Sequence, residues 1–459
     1  MPERGGCDLD AKPPAPDAPE DGDDLAAREA AYETFVWDNL KRNYLGNYLH
    51  GMLGMTGFRL VNAPTFLPAY LFSISGSNSI VGLGLALQQV GGVISPIFGA
   101  TKIEHRTKVM PAAMWMGGLA RLAILGIALA GWFVPNLPLT LDLPLVGLST
   151  VMPQVAVILF FMLMFGVFMG AQRVVFSMLM AKVIPISRRG RLQAWRNATG
   201  GLIAAGLAYL AGRYFIDANL FGNGYSTTFI FAFALTSLGL TALRLLMIEP
   251  EPPTVRPRSR LIDRFKDFPA LLAEKGFLYF MIVQMLAITA RMAVPFYVLF
   301  ASSTIELNGK NLGLLSLAFL GADTISNLVW GYLGDKTGFR LVMLLSLLVW
   351  VGSTVLLMGA HDFLPIFMAF FGLGAAQSGY MMSAGTMILE FGERDEMPMR
   401  IAFSATAEGI MGSIGPLLGG VISSTLGYGP MFSISIAFLV AALIVLITLV
   451  KEPRTARLA

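Results

Sequence analysis

The chain is short of charge, cysteine and histidine. Only 14% of its 459 residues are Asp, Glu, Lys or Arg, against 55% hydrophobic residues, and the mean hydropathy is +0.66. A soluble globule with one core is excluded by that balance. One cysteine is present, Cys7, so no intrachain disulfide can form and no redox compartment can be read from it. His50, His105 and His361 are scattered, so no metal-ligand spacing arises. Neither a phosphate-cradling glycine loop nor a Ser-His-Asp grouping occurs. An ATP-driven pump or an intramembrane enzyme therefore has no support, and no cofactor is expected. The formal charge is +4 and the pI about 9.1. The basic residues sit in short loops between apolar runs rather than along one face, which argues against a nucleic-acid partner. The acidic, proline-bearing start does not have the basic-then-apolar order of a cleavable signal.

What is abundant is apolar sequence in runs of membrane-spanning length, each needing roughly 20 residues to cross. Twelve spans are expected, near 46–74, 79–101, 109–133, 154–181, 195–215, 226–248, 277–302, 311–334, 341–360, 364–390, 401–424 and 430–450. Residues 1–45 should form a cytoplasmic tail. Its acidic first part cannot bury a core, and Leu25, Tyr32, Phe35, Val36 and Leu40 then suit a short helix lying on the membrane. Residues 46–248 and 277–450 would be two six-helix bundles. Residues 249–276 would be a cytoplasmic linker, either lying on the membrane or a flexible tether of the same charge, and 451–459 a second tail. Alternate loops hold nearly all the Lys and Arg, for example Arg188, Arg189 and Arg191, with Lys310 the exception. Both termini and the basic loops are thus expected on the cytoplasmic side of an inner (plasma) membrane.

One loop is diagnostic. Gly331-Tyr-Leu-Gly334-Asp335-Lys336-Thr-Gly338-Phe-Arg340 is a charged hairpin between two apolar runs. Gly331 and Gly334 would let helix backbones approach closely, and Gly338 suits a turn with positive φ. The string resembles the loop signature of the major facilitator superfamily. The first half carries a worn copy, from Gly99 to Lys108, with Glu104 one place late and no turn glycine. Gly331 follows Gly99 by 232 residues, and Arg340 follows Lys108 by the same 232. Arg191 to Gly200 and Arg400 to Gly409 repeat as a second pair of loops. The resemblance implies an all-α membrane protein, with twelve transmembrane helices as two pseudo-symmetric six-helix bundles and a substrate site between them.

Ionisable groups deep in spans are functional suspects. Arg59 and Arg291 lie mid-span in helices 1 and 7, again 232 residues apart. In such a fold they could face each other and grip a carboxylate, phosphate or sulfate. That is similar to the anion site of the organophosphate:phosphate antiporter branch, whose other features are absent. The alternative is that each arginine is pinned locally, with Asp323 beside Arg291. Arg173 in helix 4 is a further candidate for the cavity wall, whereas Arg121 on a peripheral helix suits a structural role. Asp323 and Glu408 are the deep acids and the candidates for proton coupling, unless they are salt-bridge partners between the halves. Asn62, Tyr70, Gln284, Tyr297, Gln377 and Tyr380, with Gln88 and Gln89, could orient a solute or simply bond neighbouring helices. Pro64, Pro68 and Pro295 should bend helices 1 and 7 beside the arginines. Gly331, Asp335, Lys336, Gly338, Arg340, Gly99 and Lys108 would form the gate loops, with Asp335 and Arg340 reaching the neighbouring half. The run from Gly412 to Gly420 resembles the drug:proton antiporter signature, but it lies in helix 11 rather than helix 5. Close packing between the halves explains its glycines.

The expectation is a monomeric secondary transporter that is not an enzyme. It would move a small solute, an organic anion, by alternating access, coupled to protons or another ion and surrounded by lipid. An exporter of a hydrophobic or lipid-like compound and a non-transporting assembly protein of the same fold are the rivals.

Overall fold

A computed structural model describes residues 24–103, 106–143, 147–252, 274–391 and 397–452. Glu104, His105, most of the acidic tail and most of the linker lie outside the described residues.

An N-terminal helix, Asp24–Asp38, leads into twelve spans. The first is Leu40–Asn62 followed by Phe66–Ser75, and the second is Asn78–Ile103. Met110–Phe133, Pro153–Val183, Ile186–Leu210 (prolonged by a π-turn, Ala211–Ile216) and Gly224–Leu246 complete the first half. The seventh span runs from Lys275–Ala290 through a tight 3-10 segment, Arg291–Phe296, to Tyr297–Ala301. Gly309–Thr337, Phe339–Met358, Phe363–Glu390, Met397–Thr425 and Tyr428–Thr448 follow. Nine of the described helices are each long and apolar enough to cross a membrane. The first, second and fifth spans are not among the nine, and for the first and fifth the reason is readable. The first is interrupted and carries Arg42, Asn43, Asn47, His50 and Arg59; the fifth opens on Arg188, Arg189, Arg191 and Arg196.

One departure from pure helix was not expected. Leu139–Leu143 and Gly147–Val151 pair as an antiparallel hairpin between the third and fourth spans. The alternating Leu-Thr-Leu-Asp-Leu sequence of its first strand is a strand pattern.

The two halves repeat each other in packing. The first span packs on the sixth as the seventh does on the twelfth, and the second on the fourth as the eighth on the tenth. The halves meet along two seams, second span against eleventh and fifth against eighth. Glycines make both seams close. A Cβ on Gly82 would lie 2.9 Å from the Cα of Gly420, and Gly212 and Gly309 leave no room for one at all.

A carboxylate closes each half in the same way. Glu249, just after the sixth span, accepts the backbone N–H groups of Val109 and Met110 at 2.7 and 2.8 Å. It also pairs with the buried Lys182 at 2.8 Å. Glu452, just after the twelfth span, accepts the N–H of Arg340 at 3.2 Å. Both satisfy open N–H groups at the start of a third helix, where the helix dipole favours an anion.

The gate loops differ in part from expectation. Gly338 has φ 90, as the turn requires, and Gly334 is covered by the ring of Phe339. Gly331 makes no close helix approach, because the nearest atoms to an added Cβ belong to Met382 at 3.9 Å. The Arg340 guanidinium donates to the carbonyls of Leu446 and Ile447 in its own half, at 3.2 and 3.0 Å. Asp335 and Lys336 are exposed at the helix end. In the first half Gly99 does mark a close approach, 2.7 Å from an added Cβ to the Ala171 oxygen, and Lys108 pairs with Glu251 at 3.5 Å on the surface.

Candidate substrate cavity between the halves

Two broken helices meet between the halves. Pro64 has no N–H, and the first span stops at Asn62 and resumes at Phe66. Pro68 falls in the first turn of the second piece, where proline is tolerated. Pro295 lies in the 3-10 segment of the seventh span. The breaks occupy matching places in the two halves, and both border one cavity of about 190 Å³. Residues 61–64 line it from the first half, and Arg291, Val294 and Pro295 from the second. Gln88 and Gln89 of the second span and Gln377 of the tenth add polar groups.

Several of these groups are unsatisfied. Asn62 Oδ1 accepts from Gln88 Nε2 at 2.7 Å, but Gln88 Oε1 has no partner among the described residues. Gln377 Nε2 is likewise buried with none. The Arg291 guanidinium lines the cavity and has no hydrogen bond or ion pair among the described residues. A buried donor or acceptor without a partner costs about 1–3 kcal/mol. Two at one cavity wall, Gln88 Oε1 and Gln377 Nε2, mark a place where a polar solute completes the bonding.

Arg59 is elsewhere. Its Nη1 is 2.8 Å from Asp323 Oδ2 and donates to Thr324 Oγ1 at 2.9 Å. The two arginines therefore do not form one clamp, and Asp323 is paired with Arg59 of the opposite half rather than with Arg291. Gly201 makes this possible, since a side chain there would run into Thr324 and Arg59.

A second polar group lies along the seventh span. Gln284 is fully buried; its Nε2 donates to Glu408 Oε1 at 3.2 Å, and its Oε1 accepts from Ser404 at 2.9 Å. The Tyr380 hydroxyl donates to the Gln284 carbonyl at 3.4 Å. Glu408 lies in the electrostatic field of both Arg291 and Arg173. This ties Arg173, Arg291, Gln284, Tyr380 and Glu408 into one polar region. Tyr70 and Tyr297 do not join it. Tyr70 stacks on Tyr225 at 5.1 Å, and Tyr297 shares a 2.6 Å hydrogen bond with Thr354. Arg121 is 2% exposed and donates to the carbonyls of Thr236 and Gly117, so it binds helices together. Sequence reasoning missed Thr65 and Ser316, whose hydroxyls meet at 2.6 Å between the halves; small hydroxyls in spans give no signal of their own.

Two bundles meeting at a cavity between broken helices define a membrane carrier architecture. Residues 279–459 match the sequence profile of the Major Facilitator Superfamily. The multidrug resistance protein MdtG of Yersinia enterocolitica is 30% identical over 140 residues, which are 30% of this chain and 33% of that protein. The match thus spans about a third of that relative's length. A solved mutant of the nucleoside transporter NupG superposes with a TM-score of 0.66 at 12% identity, covering 89% of this chain and 100% of the other. The D-xylose-proton symporter gives 0.63 at 16% identity, covering 92% and 99%. The second half of the chain thus carries the Major Facilitator Superfamily profile, and the fold over nearly the whole chain is that of these solved transporters.

Proposed function

We propose that the protein is a proton-coupled secondary transporter of a small organic anion, working by alternating access. The observation that carries the substrate class is Arg291: a guanidinium at the cavity wall with no partner among the described residues, beside the unpaired donor of Gln377. A carboxylate or phosphate fits that fork. The cavity is smaller than the usual pocket of about 300–1,000 Å³ for drug-sized ligands, which favours a small solute. Asp323 and Glu408 are the proton carriers in this reading. Protonating Asp323 releases Arg59 and loosens the contact between the halves. Protonating Glu408 leaves the charge of Arg291 and Arg173 to the substrate.

Bonds between the halves support the alternation. Ser79 meets Ser424 at 2.9 Å, Tyr428 donates to Asn78 at 2.9 Å, and Asp217 accepts the N–H of Lys310 at 2.9 Å. All three lie at the face opposite the basic loops. The structure is thus read as the state closed on the outer side, with both termini cytoplasmic in an inner membrane and the protein a monomer among lipids. Residues 46–248 rock against 277–450, with Asp335, Lys336, Arg340 and Lys108 in the loops of the inner gate.

The test is the melting temperature of the purified protein against anionic, neutral and cationic solutes. A ligand that binds the folded state alone raises it. An anion-specific rise that is lost in Arg291→Gln supports the proposal; an anion-specific rise that persists in that variant removes Arg291 from the site. A second reading, export of a hydrophobic or lipid-like compound, draws on the similarity to MdtG, a multidrug resistance protein. It would show as a rise with neutral or lipophilic compounds only.

A further inference from the structure

A larger cavity, of about 930 Å³, lies away from the central site. It is bordered by the end of the N-terminal helix, the start of the first span and the start of the fifth. Lys41, Arg188 and Arg191 give its wall three cations, and the described lining holds no carboxylate. Trp37, Tyr44 and Trp195 supply broad apolar faces.

The neighbouring basic residues show what Lys41 and Arg191 are not doing. Arg42, next to Lys41, donates to the carbonyls of Leu246 and Leu245 at 2.7 and 3.0 Å. Arg189, near Arg191, donates to the Ile184 carbonyl at 2.8 Å. Lys41 and Arg191 are exposed, and neither has a hydrogen bond or ion pair among the described residues. So one set of cations fastens the helices, and the other is left facing the cavity.

The cavity walls are tethered. Tyr48 donates to Thr199 at 3.3 Å, joining the first and fifth spans. Tyr32 donates to the Lys182 carbonyl at 2.8 Å and holds the N-terminal helix against the fourth span. Burial raises the Tyr32 hydroxyl pKa above its ordinary value, so it stays a donor at neutral pH. Leu45 and Trp195, 48% and 54% exposed, continue the wall toward the surroundings of the bundle.

We propose that this cavity binds the head group of an anionic phospholipid. The phosphate would sit between Lys41 and Arg191, with Arg188 adding to the field, and the upper acyl chain would lie against Trp195 and Leu45. Tryptophan and tyrosine settle at the head-group level of a bilayer, and basic residues near an anionic leaflet are attracted to it. The cavity lies on the face of the basic loops, the side the positive-inside rule makes cytoplasmic and whose leaflet carries anionic lipid. The head-group chemistry stands apart from the substrate proposal, because no residue is shared with the central cavity.

The experiment uses the full chain in detergent, with melting temperature as the readout. Micelles are doped with phosphatidylglycerol, with phosphatidylcholine, or given glycerol 3-phosphate alone. Phosphatidylglycerol is expected to raise the melting temperature and the other two are not. The double variant Lys41→Gln with Arg191→Gln should lose that rise, while Arg291→Gln keeps it. Trp195→Ala should weaken the rise without abolishing it. An equal rise with phosphatidylcholine, or the whole rise with glycerol 3-phosphate, would overturn a lipid head-group site. So would a full rise in the double variant, whose exposed positions leave the fold intact.

Discussion

Arg59 of the first span and Asp323 of the eighth form an ion pair at 2.8 Å between the two halves. Their side chains are 17% and 22% exposed, so both charges are largely desolvated and each is the other's main compensation. Breaking such a pair from one side leaves a charge uncompensated, at about 3–5 kcal/mol. Asp323→Asn and Arg59→Gln should each lower the melting temperature clearly. The double variant should recover part of the loss, with a coupling energy of about 1–3 kcal/mol. If Asp323 also carries the proton, Asp323→Asn loses uphill uptake in vesicles and keeps solute exchange. Additive losses in the cycle would mean that the two residues do not act as a pair.

Arg291 supports a different expectation, because it lines the cavity without an acid of its own among the described residues. It lies in the field of Glu408 without forming an ion pair with it, so removing it weakens a longer-range attraction and opens no ion pair. Arg291→Gln is therefore expected to fold with a melting temperature close to the parent's and to lose anion binding. Arg291→Lys keeps the charge but not the fork of donors, and about tenfold weaker binding is expected, near 1.4 kcal/mol. Titration calorimetry on the two variants separates charge from geometry. Equal loss in both would assign the binding to the fork itself.

The contrast between these arginines shows what a sequence can carry. Span lengths, the basic loops and the 232-residue offset are one-dimensional patterns, and they led to the two bundles and to the breaks at Pro64 and Pro295. The partner of Asp323 was not legible. Arg291 stands in the same half and Arg59 in the other. The choice is made by the crossing of the fifth and eighth spans, where Gly201 leaves room for Thr324 and Arg59. Which polar side chains face the cavity was legible only in part. Asn62, Gln377 and Arg291 do, while Tyr70 and Tyr297 turn into aromatic clusters. A helix of apolar residues gives little rotational signal about which stripe meets lipid and which meets a neighbour.

Arg121 should behave as a fastening. Its guanidinium donates to Thr236 O at 2.7 Å and Gly117 O at 2.6 Å, and its carbon lies 5.4 Å from the Phe58 ring centre. Arg121→Leu leaves the Thr236 carbonyl without this donor and removes the link between the third and sixth spans. Loss of stability of about 3 kcal/mol is expected. Solute selectivity in the surviving folded fraction should be unchanged. A variant that folds as well as the parent and alters selectivity would move Arg121 into the substrate path.

The seam between the second and eleventh spans offers a test of the motion itself. Ser79 Oγ and Ser424 Oγ are 2.9 Å apart, and Gly82 and Gly420 bring the same two helices to backbone contact. Side-chain oxygens that close lie within the reach of a disulfide, whose Cβ atoms sit about 3.5–4.5 Å apart. The natural Cys7 is replaced by serine so that the new pair stands alone. Ser79→Cys with Ser424→Cys should then oxidise readily in the membrane and hold this face shut. Transport into vesicles should fall to background under oxidation and return with a reductant, whereas each single variant transports normally. Solute binding from the opposite face should survive the cross-link, because the cavity remains intact. Full transport by the oxidised protein would show that this seam does not open during the cycle, and alternating access would then have to be sought at another contact.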